Sequence, residues 1–326
     1  MTLPSRNLAL ELVRVTEAAA MTAGRFMGRG DKNAADKAAV DGMRIILNTI
    51  EMSAVVVLGE GEKDEAPMLF RGEHLGAGGP PEVDLAVDPI DGTRPLALGL
   101  ANSIATVAIA PRGTMFNPGP IVYMNKIAVG PVAKDVIDID APISENLRRI
   151  AKAKGEGVEH LTTVILDRPR HKDLIAEVRK CGSRIKLIPD GDVAGALMTA
   201  WPQSEIDVLL GIGGTPEGIL AACGLRAMGG NIQGKLYARD EDEYKRGRDL
   251  GYDFDKVLTM NDMVSSEDVF FAATGITRGD LLDGVSYSAD NVRTDSLVMR
   301  GLTGTVRQII STHRLEKLSR ISQIVY

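Results

Sequence analysis

Two amphipathic helices are predicted at the start of the chain. Apolar side chains between residues 8 and 21 recur at helical spacing with charged residues between them, which favours a soluble helix over a signal peptide. A second helix is predicted over residues 37–49, where the apolar residues share one face. The pattern then changes, because "SAVVVL" is a β-branched run that stops at Gly59, which is typical of a buried strand.

Strands and helices alternate in the middle of the chain. Strands are predicted at residues 83–87, at residues 103–110 and in "IVYMNKIAVG". Three further strands, "TTVILD", "RIKLIPD" and "IDVLLGIG", are each followed by a predicted helix, over residues 171–180, 192–200 and 216–228. This alternation predicts βαβ units in a parallel or mostly parallel sheet.

The last part of the chain is predicted to consist mainly of short strands. They lie in "VFFAATGIT", "GVSYS", "RTDSLVMRG" and "TVRQIISTH", and Thr303 with Gly304 suits a hairpin turn between the last two. We therefore expect two α/β lobes in close contact, over residues 1–158 and 159–326. The boundary is placed at the polar stretch "KGEGVEH".

The composition excludes several classes of protein. Of the 326 residues, 44% are apolar and 25% are charged, as in ordinary globular proteins. A net charge of −6 without a long Lys/Arg block argues against nucleic acid as a partner. No uncharged apolar run reaches the roughly 18 residues of a membrane span. The two cysteines lie in separate segments, which favours free thiols and a cytoplasmic location over a disulfide framework or a zinc site.

Carboxylates follow several of the predicted strands. Asp88 and Asp91 come directly after one strand, Glu60 follows the strand before it, and Glu217 follows "IDVLLGIG". Because ligands gather at the carboxyl ends of strands in open α/β sheets, these loops are expected to meet in one crevice. Carboxylate oxygens are the ligands of hard divalent cations such as Mg²⁺ and Mn²⁺, while zinc would favour a His or Cys cluster.

The spacing D-P-x-D-G-T at residues 88–93 is a specific signal. A single Asp here is most often a solvated turn or a helix cap, but five fixed residues have a chance probability on the order of one in ten thousand. The stretch "GIGGTPEGI" is weaker, since it also suits an ordinary helix start with Thr215 as N-cap, Pro216 next and Glu217 in the first turn. Free backbone N–H groups at that start could bind phosphate or carboxylate.

Candidate cations for phosphate recognition come from two segments. Arg168 and Arg170 flank Pro169 at a strand end, and "YMNK" supplies Tyr123 and Lys126. Guanidinium forks and ammonium groups are the usual phosphate ligands, although an exposed Arg-x-Arg is often only a solvated turn.

These motifs together resemble the metal-dependent, lithium-sensitive sugar and inositol phosphatase superfamily, and within it the class II fructose-1,6-bisphosphatases of the GlpX type. The resemblance covers nearly the whole chain, in the order "RVTEAAA", "GRGDKNAAD", "VVVLGEGEKDEAPML", "VDPIDGT", "YMNKIAVGP", "DRPRH", "IPDGDVAGA", "GIGGTPEGI" and "FFAATGITRGDLL". It implies a layered α-β-α-β-α sugar-phosphatase fold of the α/β class with two mixed sheets. Metal binding then falls to the N-terminal lobe, and substrate binding to the C-terminal α/β lobe.

The resemblance also implies roles for matching positions, with Mn²⁺ or Mg²⁺ as the cofactor. Asp36 and Glu60 are similar to ligands of one metal, and Asp88, Asp91 and Glu217 to ligands of a second. Asp64 and Thr93 look like the pair that activates the attacking water, with Glu62 in support. The implied substrate contacts are Asp91, Gly92, Thr93, Tyr123, Arg168, Pro169, Arg170, Asp190, Gly191, Asp192 and Gly214.

The expected reaction is hydrolysis of the 1-phosphate of fructose 1,6-bisphosphate to fructose 6-phosphate and inorganic phosphate, a step of gluconeogenesis. Two alternatives stay open: a bifunctional fructose-1,6/sedoheptulose-1,7-bisphosphatase and a non-catalytic phosphosugar-binding protein. The chain lacks the W-D-x-x-A-G motif typical of inositol monophosphatases, which argues against inositol phosphates as its substrates. The family implies a homo-oligomer, either a dimer or a tetramer, and Pro95 is a local peculiarity that the sequence does not explain.

Overall fold

The computed structural model describes residues 7–59, 69–322 and 324. Its α-helices are α1 Ala9–Ala23, α2 Lys32–Leu47, α3 Thr93–Leu98, α4 Ile143–Lys154, α5 Lys172–Lys180, α6 Asp192–Met198, α7 Thr215–Met228, α8 Glu241–Asp249, α9 Met260–Met263 and α10 Leu315–Ser322. Its strands are β1 Ser53–Leu58, β2 His74–Leu75, β3 Glu82–Asp91, β4 Ile104–Pro111, β5 Tyr123–Val129, β6 Thr162–Leu166, β7 Arg184–Ile188, β8 Val208–Gly214, β9 Asn231–Tyr237, β10 Phe270–Gly275, β11 Ser286–Tyr287, β12 Asn291–Arg300 and β13 Thr305–Arg314.

The strands form two mixed sheets. The first sheet has the order β11-β12-β10-β4-β3-β1-β2, with β13 pairing along the other side of β12. Only β1 and β3 are parallel among its described pairs. The predicted hairpin between β12 and β13 is confirmed by their antiparallel pairing and by the left-handed Gly304 between them.

The second sheet corrects the expectation of a mostly parallel arrangement. Its order is β7-β6-β8-β5-β9, and β6 runs parallel to β7 and to β8, as βαβ units require. However, β5 is antiparallel to both of its neighbours. The sheet is therefore mixed, because β5 comes from an earlier part of the chain and β9, which the hydrophobic pattern did not predict, completes the edge.

Five layers are stacked on one another, which confirms the predicted α-β-α-β-α fold class. Helices α1 and α2 pack on one face of the first sheet, and α6 and α7 lie between the two sheets. Helices α4 and α5 cover the outer face of the second sheet. The middle helix α7 is buried on nearly all sides because it has a sheet above and below it, and its apolar residues accordingly surround the helix.

The sheets do not follow the predicted order of lobes along the chain. Strand β5 precedes residue 158 but belongs to the second sheet, while β10 to β13 follow it and belong to the first sheet. The boundary between residues 158 and 159 stays a prediction. In the described part of the chain no helix is long and apolar enough to cross a membrane.

Candidate active site

The D-P-x-D-G-T motif lies at the end of β3, but the strand is longer than predicted. It continues through both carboxylates to Asp91, with an irregularity against β4 between Asp88 and Asp91. The turn is formed by Gly92, whose φ of 101° is in the left-handed region that favours glycine. Ser103 Oγ donates a hydrogen bond to the Gly92 carbonyl at 2.8 Å, which fixes the turn between Asp91 and Thr93.

Pro95, which the sequence left unexplained, lies in the first turn of α3. The backbone N–H groups of a first helical turn have no partner within the helix, so proline costs no hydrogen bond there. The Pro95 carbonyl accepts a hydrogen bond from the Leu100 N–H at 2.8 Å, which closes the helix. Pro95 is therefore a structural element of the helix that follows the motif.

Both aspartates of the motif are buried. Asp88 Oδ1 accepts a hydrogen bond from the Ile90 N–H at 3.0 Å, and Asp91 Oδ2 accepts one from the Ala194 N–H of α6 at 3.0 Å. Burial raises the pKa of Asp91 well above its usual value, and the neighbouring charge of Asp192 adds to this effect. A cation beside Asp91 would relieve both effects.

Thr93 and Asp36 meet across the sequence. Thr93 Oγ1 lies 3.0 Å from Asp36 Oδ1, to which it donates a hydrogen bond, and 3.3 Å from the Ile90 carbonyl. Asp36 belongs to α2, so the search of strand ends did not find it and only the family resemblance named it. Burial raises the pKa of Asp36, and the Thr93 hydrogen bond acts in the opposite direction.

Glu217 lies in the first turn of α7. The prediction that Thr215 is the N-cap of this helix is wrong, because the helix begins at Thr215 and its N-cap is Gly214. The Thr215 N–H donates a hydrogen bond to the Val122 carbonyl at 2.7 Å. A Cβ on Gly214 would lie 1.6 Å from Glu217 Oε2, so glycine leaves the space that this carboxylate occupies. Oε2 is buried and has no hydrogen-bond partner in the described structure. Burial is the main reason that the pKa of Glu217 rises to about 7.

Two neighbouring cavities contain most of the predicted site residues. A cavity of about 180 Å³, here called the carboxylate cleft, is lined by Gly59, Val87, Asp88, Ile90, Asp91, Gly92, Thr93, Asp190, Asp192, Pro216 and Glu217. A cavity of about 200 Å³, here called the arginine cleft, is lined by Val122, Tyr123, Leu166, Arg168, Arg170, Asp190, Asp192, Gly213, Gly214, Pro216 and Glu217. Both are lined by Asp190, Asp192, Pro216 and Glu217, so the two clefts adjoin.

The cations of the arginine cleft already have protein partners. Arg168 Nη2 lies 3.3 Å from Asp190 Oδ1, and its Nη1 donates to the Pro189 carbonyl. Arg170 Nη2 donates to the Ile212 carbonyl at 2.7 Å, and its guanidinium lies 5.1 Å from the centre of the Tyr123 ring. These contacts hold the two side chains at the cleft.

The turns beside these arginines carry the remaining predicted substrate contacts. Pro169 starts the short 3₁₀ turn between Arg168 and α5. Gly191, with a φ of 87°, leads into α6 and places Asp190 and Asp192 on either side of the turn. A left-handed residue between two acidic side chains explains the D-G-D spacing in physical terms.

His171 is a buried residue next to the arginine cleft that the sequence reasoning missed. Its Nε2 accepts a hydrogen bond from the Ile212 N–H at 2.8 Å, so Nδ1 is the protonated nitrogen and donates to the Leu166 carbonyl at 2.7 Å. Burial lowers the pKa of His171, which favours this neutral ring. The ring thus links the end of β6 to β8, and its partner Leu166 lines the arginine cleft. Its position next to Arg170 in "DRPRH" was the available signal.

Some predicted residues are not brought to these clefts. Glu60, Glu62 and Asp64 lie outside the described residues. Lys126 lines neither cleft and is only 2% exposed, which corrects the interpretation that it faces a phosphate. Within residues 7–59, 69–322 and 324, no group of three or more His, Cys, Asp or Glu side chains is arranged so that it could hold a metal ion. The metal ligands therefore stay a prediction.

Comparison with known proteins identifies the family. A family model described as bacterial fructose-1,6-bisphosphatase, glpX-encoded, matches residues 6–313. The chain belongs to this family. The glpX family is one of metal-dependent phosphatases.

Named relatives of the glpX family match this chain over almost their full length. They are the fructose-1,6-bisphosphatase 1 class 2 of Escherichia coli K12 and the fructose-1,6-bisphosphatases class 2 of Escherichia coli O6:H1 and Shigella flexneri. Each is 46% identical over 325 residues, and the match covers 96% of both chains.

Proposed function

We propose that the protein hydrolyses the 1-phosphate of fructose 1,6-bisphosphate with the help of divalent metal ions, releasing fructose 6-phosphate and inorganic phosphate. One observation supports this most strongly. In a member of the glpX family, a cleft of buried carboxylates opens directly into a cleft that contains two arginines, through the shared Asp190, Asp192 and Glu217. A sugar bisphosphate needs both environments, one for the reacting phosphate and one for the other.

The described side chains carry the type of donor that a hard divalent cation prefers, although they are not grouped closely enough in the described structure to hold an ion as they stand. Their donors are carboxylate oxygens, and the buried Glu217 Oε2 has no hydrogen-bond partner in the described structure. Asp88, Asp91 and Glu217 would hold one ion, and Asp36 with Glu60 a second. When bound there, Mn²⁺ or Mg²⁺ would neutralise phosphoryl charge and lower the pKa of bound water.

Thr93 is proposed to orient the attacking water. Its hydroxyl is held by Asp36 on one side, and Gly92 in its left-handed conformation turns the chain so that Thr93 lines the carboxylate cleft. Asp64 is the proposed partner that takes the water proton, and Glu62 is the proposed supporting acid. Correct placement of one hydroxyl in this way contributes to the rate through orientation and proton transfer.

Arg168, Arg170 and Tyr123 are proposed to bind the phosphate that is not hydrolysed. Arginine forks match phosphate oxygens, and the ion pair between Arg168 and Asp190 restricts the fork before the substrate arrives. Gly191 and Gly214 have no side chain, so we propose that the substrate can approach the backbone at these two positions beside the arginine cleft. The family resemblance further supports the proposals that the protein acts in the cytoplasm and as a homo-oligomer.

Phosphate release from fructose 1,6-bisphosphate tests this function. Purified protein with Mn²⁺ or Mg²⁺ should release phosphate, and chelation with EDTA should stop the release. Parallel assays with sedoheptulose 1,7-bisphosphate and inositol 1-phosphate should give a lower kcat/KM. Equal kcat/KM for both bisphosphates would support the bifunctional alternative. Substrate binding without phosphate release, with either metal, would contradict the proposed function and favour a phosphosugar-binding protein.

A further inference from the structure

Lys126 is a buried cation that the proposed reaction does not use. It lies in the middle of β5, with 2% of its surface exposed. Its Nζ lies 2.5 Å from Asp192 Oδ2 and donates a hydrogen bond to the Gly214 carbonyl at 2.8 Å. A buried ammonium group is costly unless it is paired and hydrogen-bonded, so this arrangement is held by specific contacts.

Gly213 leaves room for the ion pair of Lys126 and Asp192. A Cβ on Gly213 would lie 1.9 Å from Asp192 Oδ2 and 3.0 Å from Lys126 Cε. A Cβ on Gly218 would lie 3.6 Å from Lys126 Nζ. The stretch "GIGGTPEGI" thus leaves space for the ammonium–carboxylate pair at Gly213, in addition to the space for Glu217 at Gly214, whereas the distance at Gly218 is an ordinary contact.

The contacts of Lys126 connect two loops that supply the carboxylate cleft. Asp192 begins α6, and in the same helix the Ala194 N–H donates to Asp91 Oδ2. Gly214 ends β8 and is the N-cap of α7, whose first turn carries Glu217. Lys126 therefore contacts neighbours of two proposed metal ligands. Its partner Asp192 lies in the helix that donates to Asp91, and its partner Gly214 precedes the helical turn that carries Glu217.

We propose that Lys126 is a positioning residue that holds the start of α6 and the start of α7 in a fixed relation through Asp192 and Gly214, without contacting the substrate. This rests on the proposed function, because what it positions are Asp91 and Glu217. Losing Lys126 would displace these carboxylates slightly, and displacements of about 1 Å can lower turnover by about 10²-fold.

Steady-state kinetics of Lys126→Met separates positioning from phosphate binding. We expect kcat to fall by about 10²-fold while KM for fructose 1,6-bisphosphate changes less than about threefold. The matched control is Lys235→Met, which removes a lysine of the neighbouring β9 that pairs with Asp140 at the surface, and it should leave both constants unchanged. A large rise in KM with kcat intact would show that Lys126 binds phosphate, and unchanged constants would show that it has no role.

Thermal unfolding without substrate tests the ion pair independently of activity. Lys126→Met and Asp192→Asn each leave a buried charge without its partner, so each should lower Tm. The decrease in Tm of the double variant should be clearly smaller than the sum of the two single decreases, because neither buried charge remains. Additive losses would overturn the proposal even if Lys126→Met folded too poorly for kinetics. A wild-type protein without phosphatase activity would instead refute the proposed function, and the unfolding cycle would still report on the pair.

Discussion

The carboxylate cleft and the arginine cleft share Asp190, Asp192 and Glu217, but they balance charge differently. In the carboxylate cleft, burial raises the pKa of Asp91 and Glu217, and Glu217 Oε2 has no hydrogen-bond partner in the described structure. In the arginine cleft, Arg168 pairs with Asp190 and Arg170 with the Ile212 carbonyl. We therefore expect the first cleft to bind a cation from solution and the second, whose side chains are already ordered by protein contacts, to bind an anion.

The largest effect is expected from removing a proposed metal ligand. Glu217→Ala and Asp88→Ala should each lower turnover by about 10³-fold or more, because bound metal stabilises the transition state by several kcal/mol. The metal-free Glu217→Ala protein should unfold at the same Tm as wild type or higher, since a buried carboxylate with a raised pKa is destabilising when charged.

Phosphate release at saturating Mn²⁺ and a thermal melt measure both effects. The matched control is Glu241→Ala, which removes an exposed acid from the first turn of α8 and should change neither. Near wild-type turnover in either ligand variant would contradict the metal assignment.

Thr93 gives the next largest effect within the carboxylate cleft. Thr93→Ala removes the hydroxyl that hydrogen-bonds to Asp36 and should lower kcat by about 10²–10⁴-fold. Thr93→Ser keeps the hydroxyl and should retain most of the activity. If the two variants were equally active in a phosphate-release assay, Thr93 would have no part in the chemistry.

Arg168 tests the arginine cleft. Arg168→Ala should raise KM for fructose 1,6-bisphosphate by about 10- to 100-fold, the usual loss for a charge-assisted hydrogen bond, and should change kcat little. Arg184→Ala, at an exposed position in β7, is the control. An effect confined to kcat would mean that Arg168 acts on the transition state and that the two clefts do not divide the work as proposed.

Metal affinity should depend on pH because protons compete for the carboxylate cleft. The pKa of Glu217 is about 7 in the metal-free protein, so its deprotonated fraction rises steeply between pH 6 and pH 8. Mn²⁺ should therefore bind about tenfold more tightly at pH 8 than at pH 6. Isothermal titration of wild type and Glu217→Gln measures this, and an equally steep pH dependence in the variant would exclude Glu217 as its source.

The smallest effect is expected from His171, whose neighbours Leu166 and Arg170 line the arginine cleft. Burial lowers its pKa below the ordinary value of 6.5, so its contribution to stability is present above pH 6.5 and is lost as the pH falls through the lowered pKa. Between pH 7 and pH 5, Tm should fall by a few degrees more in wild type than in His171→Gln. Identical pH profiles for the two proteins would show that the neutral ring is not needed.

Local patterns predicted the parts of the site that a short segment specifies. The D-P-x-D-G-T motif and the helix start at Glu217 were found because turn chemistry and strand ends are local signals, whereas the D-G-D turn was named as a substrate contact through the family resemblance. Asp36 was not found by this route, because its place beside Thr93 depends on α2 packing against α3. The pairing of Lys126 with Asp192 joins residues far apart in sequence, and no local pattern indicates it.

The fold shows the same division between local and distant information. Most buried strands were predicted within a few residues, as were α1, α2, α5, α6 and α7, whereas α4 and α10 were not predicted. Helix α8 was not predicted either, because Glu241–Asp249 is almost entirely polar and has no apolar stripe. Strand β5 belongs to the second sheet, and β10 to β13 belong to the first. This assignment depends on pairing between distant segments, which hydrophobic periodicity does not encode.

The most direct test of the central claim is a crystal structure of the protein soaked in Mn²⁺, with anomalous diffraction used to locate the metal. The account predicts a manganese peak in the carboxylate cleft, within about 2.0–2.6 Å of carboxylate oxygens of Asp88, Asp91 and Glu217. A cleft without a manganese peak, in crystals of protein whose phosphatase activity requires Mn²⁺, would contradict it.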